Sequence, residues 1–137
     1  MMHQGITDLN TLLTNIAPEL SPTAYVFCTV PVAESPDFLE LDPLGMFQEA
    51  EGVTFILRLE TAVQQGLSFP SVQRQITLTV HSSLDAVGLT AAVASALARH
   101  DISANVVAAY FHDHIFVPQE KAEQAVAVLK SLAESGA

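Results

Sequence analysis

Between Gln73 and Pro118 the chain concentrates its chemically capable side chains: His81-Ser82-Ser83, Asp85, Gly88, Asn105 and His112-Asp113-His114. Gly88 stands where a strand gives way to a helix. A missing side chain there lets a ligand approach the backbone, and amides at a helix N-terminus can meet a carboxylate. Asp85 can hold an ammonium group or cap the helix. Ser83, like Ser82, can do either job. Asn105 can use its amide to bind both a carboxylate and an ammonium, or can bond its own turn. Arg58 is the lone cation of the first seventy residues. It can clamp a carboxylate bidentately, or pair at the surface with Glu60 or Glu51.

The histidines with Asp113 are ordinary zinc ligands by type. His112 and His114 would share a face only in a continuous strand, and there is no His-x-x-x-His spacing and no cysteine nearby. The expectation is therefore no metal. A hydrogen-bonded network at a sheet end fits better, or a dimer contact sensitive to pH near histidine's ordinary value of about 6.5. His81 and Ser82 are adjacent and so point apart, and no G-x-S-x-G surrounds the serine. Cys28 sits inside the apolar run Tyr25–Val30 and reads as an inert buried thiol. Neither G-x-G-x-x-G nor a P-loop occurs, so no cofactor is expected. The pattern predicts binding of something small and no catalysis.

The elements that must position these residues follow from periodicity. A helix is predicted after Thr7, capped by its hydroxyl, to about Ile16, with Leu9, Leu12, Leu13 and Ile16 on one stripe. Pro18 ends it, and Ser21-Pro22 leads into a strand over 25–30. Residues 31–45, with three prolines among four carboxylates, read as a rigid acidic connection. Residues 46–50 suit a short edge strand guarded by Glu49 and Glu51. Strands are predicted over 53–57 and 73–81, and short and long helices over 59–65 and 86–99. Gly66 stops the first of these helices. Residues 105–111 are extended, with His112-Asp113 as the turn into a strand over 114–117. A last helix starts after Pro118.

Composition limits the partners. The chain has 137 residues, half of them apolar, and a net charge of −10. Residues 1–70 carry a net −8 and residues 71–137 a net −2. A polyanion needs clustered cations to displace its counterions, so nucleic acid and anionic lipid are excluded as expected partners. No apolar run approaches the roughly 20 residues that span a bilayer. The start lacks a basic segment followed by an apolar one, which gives the cytoplasm as the expected compartment.

The chain resembles the ACT domain family, in particular small bacterial proteins built from two ACT-like units. The strand Ile76–Val80 runs into Asp85-Ala86-Val87-Gly88, Leu89 opens the helix, and Ile102-Ser103-Ala104-Asn105 follows. This is similar to the family's Asp-x-Pro-Gly loop and its Ile-Asn strand start. Gly5–Leu9, Tyr25–Cys28, Glu51–Thr54, Thr79–Leu84 and Asn105–Pro118 extend the likeness over nearly the full length. Val87 departs from the pattern, standing where proline would pre-set φ. The resemblance implies an α+β fold of two ferredoxin-like βαββαβ-type units, antiparallel sheets with helices on one face, and subdomains at 1–70 and 71–137. It also implies a homodimeric regulatory module that binds an amino acid at the loop between strand and helix, with Ser83, Asp85, Val87, Gly88, Leu89 and Asn105 as the expected ligand residues, to which the residue reading adds Arg58. A ligand-free interaction module regulating an enzyme is the alternative. Strand 73–81 lies between the subdomains and can complete either.

Overall fold

The computed structural model describes residues 8–135. Helix α1 (Leu9–Thr14) is capped by Asp8, whose Oδ2 accepts from the Thr11 amide at 3.0 Å and the Thr11 hydroxyl at 2.7 Å. Thr7, the expected cap, lies outside the described residues. Those two bonds favour the ionised carboxylate and hold Asp8 below its ordinary value, the hydroxyl bond contributing most.

Strand β1 (Pro18–Val30) is far longer than the predicted 25–30. Proline is compatible with a strand at its first residue and wherever no ladder donor is required, so Pro18 and Pro22 interrupt nothing. The 31–45 segment, expected as a rigid acidic connection, is built of short helical turns. A 3-10 turn (Val32–Glu34), the helix α2 (Ser35–Phe38) and a second 3-10 turn (Leu39–Leu41) occupy it. Proline in the first helical turn is pre-organised for a helix, and Ser35-Pro36-Asp37 supplies that signal. Left-handed Asp42 ends the segment at φ 55°.

The remaining elements are β2 (Gly45–Gln48), β3 (Val53–Arg58), α3 (Leu59–Gln64), β4 (Gln73–Leu78), α4 (Leu89–Ala98), β5 (Asn105–Ala108), β6 (Asp113–Pro118) and α5 (Ala122–Ser135). The strands form an antiparallel sheet in the order β2-β3-β1-β4-β6-β5, so β2 is an edge strand as expected. Two compact units make up the chain, Thr23–Gln73 and Met1–Pro22 with Arg74–Ala137, and β1 runs through their boundary. Strand β4 from Arg74 onward belongs to the unit that contains α4, β5, β6 and α5.

Each unit has its own core on one sheet face. In the first, Val26, Cys28 and Val30 of β1 and Val53, Phe55 and Leu57 of β3 alternate inward against Ala62 of α3, with Phe38 and Leu41 at the margin. Burial raises the Cys28 thiol above its ordinary value and so keeps it un-ionised. In the second, Ile76 and Leu78 of β4 and Ile115 and Val117 of β6 pack under Leu12 and Leu13 of α1, Val93 and Leu97 of α4, and Ala125 and Leu129 of α5. Within this unit the Arg74 guanidinium donates twice to the Ser21 carbonyl, at 2.9 and 2.7 Å.

The β5–β6 turn differs from expectation. Ala108 pairs with Asp113, and the Ala109 amide donates to the His112 carbonyl at 3.0 Å, so Tyr110 and Phe111 form the tip. His112-Asp113 is not the turn. Period-two alternation requires Asp113, Ile115 and Val117 on one face, and this register keeps all three facing the core.

Candidate functional site

The loop 83–89 is built by local bonds. Ser83 accepts at its Oγ from the Asp85 amide at 3.1 Å and at its carbonyl from the Ala86 amide at 3.0 Å. This is a hydroxyl-stabilised turn of the kind serine supports. It delivers the chain to Gly88, the residue preceding α4, in the left-handed region at φ 101°. Among the described residues no side chain caps α4. The amides of its first turn therefore lack a side-chain acceptor at the positive end of the helix dipole.

Packing also explains Gly88 in part, since a Cβ there would lie 3.1 Å from Leu9 Cδ2 on α1. Asp85 is exposed and Val87 is 83% exposed, whereas the Leu89 side chain is buried in the core. The structure thus brings Ser83, Asp85, Val87, Gly88 and Leu89 into one turn, with only the backbone of Leu89 on offer. Asn105 opens β5 opposite Phe116, and its side chain is exposed. Arg58 ends β3 in the other unit. It lies 3.9 Å from Asp42, a partner that sequence reasoning did not name, and both side chains are largely exposed.

His112 and His114 stay together, their ring centroids 6.3 Å apart, but Asp113 and His81 part from them. Neighbouring strand residues face opposite ways, so Asp113 points into the core, where its Oδ2 accepts from buried Ser82 Oγ at 3.1 Å. His114 faces the opposite side. Its Nδ1 lies 3.0 Å from both Gln75 Nε2 and Thr77 Oγ1 of β4. With the amide and hydroxyl donating, Nδ1 is the acceptor and the neutral ring carries its proton on Nε2. Burial, and then the neighbouring His112, push His114 below the ordinary histidine value, while Asp113 opposes them.

Among the described residues no group of three histidine, cysteine or acidic side chains is arranged to hold a metal ion. His81 packs instead against the hairpin tip in tilted ring contacts, its ring centroid 5.4 Å from Phe111 and 6.4 Å from Tyr110. This cluster was not foreseen from the sequence, because it depends on where the hairpin turns. No described helix is long and apolar enough to cross a membrane.

Comparisons place this geometry in a family. An ACT domain model matches residues 4–74, and a second ACT domain model matches residues 71–131. A Vibrio cholerae protein of unknown function, described as a possible transport protein, is 54% identical over 91% of this chain and 95% of its own, with a TM-score of 0.83. An Agrobacterium tumefaciens protein is 16% identical over 85% of this chain and 87% of its own, with a TM-score of 0.68. The regulatory subunit of aspartate kinase from Thermus flavus is 11% identical over 85% and 96%, with a TM-score of 0.62, a likeness of fold. No curated protein matches. The chain belongs to the ACT domain family, carrying two ACT-type domains in succession.

Proposed function

We propose that this protein is a cytoplasmic, homodimeric regulatory module that binds an amino acid or similar small zwitterion and catalyses no reaction. The observation that carries this reading is the opening of α4 on Gly88 without a side-chain cap among the described residues, in a chain of the ACT domain family. The first-turn amides, beginning with that of Leu89, take the ligand carboxylate. Asp85 or Asn105 takes its ammonium, and Ser83 holds the turn in shape. Val87, without proline's fixed φ, lets the loop adjust. Arg58 is the alternative carboxylate clamp, and it would have to leave Asp42. The regulatory character agrees with the fold shared with a kinase regulatory subunit.

Calorimetry of the whole chain against the twenty amino acids tests this. At least one should give a saturable heat, with affinity weakened about tenfold or more by Asp85→Asn or Gly88→Trp, as loss of a charge-assisted contact requires. Silence across the panel overturns the reading. The second reading, a ligand-free docking module, is favoured by one observation. Leu84, Val87, Tyr110 and Phe111 of the same unit all expose more than half of their surface, and exposed apolar patches mark interaction sites.

A further inference from the structure

A groove of about 460 Å³ lies between the C-terminal end of α4 and the outer half of α5, a volume within the range of small-molecule sites. It exists because Ala96, on the buried side of α4, leaves the space between the helices unfilled, while Val128 and Leu132 of α5 form an apolar floor. Arg99, His100, Gln124 and Ser131 stand around it. His100 is held in place, its Nδ1 donating to the Ala96 carbonyl at 3.0 Å, which leaves Nε2 as the free ring nitrogen.

The charges on this rim are unusual for the chain. Fifteen carboxylates face only five lysines and arginines. Three of the five are engaged: Arg58 with Asp42, Arg74 with the Ser21 carbonyl and Lys121 with Asp101. The Arg99 guanidinium and the Lys130 ammonium have no hydrogen-bond or ion-pair partner among the described residues, and of the two only Arg99 lines this groove, although a guanidinium with its five donors readily finds a partner. An unpaired guanidinium beside an apolar floor matches an anion that carries an apolar tail.

We propose that the α4–α5 groove is a binding site for a small organic monocarboxylate. Arg99 grips the carboxylate in its planar fork, the Gln124 amide and Ser131 hydroxyl supply further donors, and the tail lies on Val128 and Leu132. The groove discriminates by what it lacks. Among the described residues no aspartate or glutamate lines it, so an ammonium group would meet no carboxylate side chain there to offset its lost hydration. That separates this site from the amino-acid site proposed at residues 83–89. Inorganic phosphate would leave the apolar floor unused and would meet one guanidinium with up to two charges.

The test is a titration of the uniformly 15N-labelled full chain, followed by amide and Arg99 side-chain resonances, with hexanoate as probe. Norleucine, which is hexanoate with an α-ammonium, and inorganic phosphate are the comparisons. Hexanoate should give saturable shifts confined to residues 96–100 and 124–132. Arg99→Gln should weaken its binding by about tenfold, and Arg99→Lys by less, because a point charge replaces a bidentate fork. Norleucine and phosphate should bind the groove at least about tenfold more weakly than hexanoate.

Circular dichroism establishes that the Arg99 variants, altered at an exposed side chain, remain folded. Absence of saturable shifts up to about 20 mM, well beyond a millimolar dissociation constant, overturns the proposal. Equal affinity in Arg99→Gln, or equal binding of norleucine or phosphate, also overturns it. Norleucine shifts at 83–89 with no hexanoate response would sink this site and leave the amino-acid reading standing. A hexanoate response without norleucine shifts at 83–89 would support this site, and the amino-acid reading would still be decided by the panel of twenty amino acids.

Discussion

His114 shows how much one residue's role depends on its neighbours across a sheet. Its ring accepts from Gln75 and Thr77 in neutral form, and burial penalises the cation. The folded-state value therefore lies below the ordinary 6.5, so the unfolded chain binds the proton more readily. Stability from this residue is complete above about 6.5 and is lost as pH falls through the window between that value and the lowered one. Urea unfolding at successive pH values should show a midpoint that declines on acidification from neutrality. In His114→Gln that part of the decline should shrink, by at most about 1 kcal/mol since solvent screens a half-exposed ring. An unchanged slope would show that the ring titrates as it does in the unfolded chain. Gly88 presents two demands at a single residue, because its left-handed φ strains any side chain and a Cβ would press on the Leu9 side chain before any ligand is considered.

At the scale of elements, the β2–β3 hairpin depends on how closely β1 approaches its turn. The Glu49 amide donates to the Gly52 carbonyl at 3.0 Å and the Gly52 amide to the Glu49 carbonyl at 3.3 Å. A Cβ at Gly52 would stand 2.8 Å from Thr29 Oγ1 and 2.9 Å from the Val30 carbonyl oxygen. Thr29 can rotate, but the backbone oxygen cannot. Gly52→Ala should therefore cost about 1–3 kcal/mol, as overpacking does, and raise amide exchange over residues 45–55. A stability within about 0.5 kcal/mol of the parent, the ordinary range for surface changes, would show that the hairpin shifts freely.

Helices and strands with strong periodicity were legible at this scale, including α1 with its leucine stripe, β3, α4 and α5. Segments governed by proline were not. Pro36 starts a helical turn inside a stretch that reads as loop, and Pro18 and Pro22 lie within β1, which reads as starting only at Tyr25. Proline forbids a donor and restricts φ, and both strand starts and helix starts satisfy those conditions. Composition alone therefore does not distinguish the outcomes.

Across the whole molecule, two separate cores support two compact units. Phe55 is fully buried in the core of the 23–73 unit, with Phe38 5.9 Å away between ring centroids. Phe55→Ala should destabilise the protein by about 3–5 kcal/mol, read as a lower urea midpoint. A loss below about 1 kcal/mol would mean that this core collapses around the vacancy. The expected set of ligand residues divides along the same lines. Ser83–Leu89 form one turn because they are contiguous, whereas Arg58 sits in the other unit with Asp42.

The sequence alone determined the family, the α+β class and the inward faces of the principal strands and helices, because alternation at period two or near 3.6 follows from burying one side of an element. Only the tertiary structure decided that Tyr110 and Phe111 make the hairpin tip, that Asp113 turns inward to Ser82 while His114 turns outward, and that the Arg99 guanidinium stands over an apolar groove without a partner among the described residues. Each of these depends on strand register or helix packing, which brings together residues far apart in the chain whose encounter leaves no local trace in the order of amino acids.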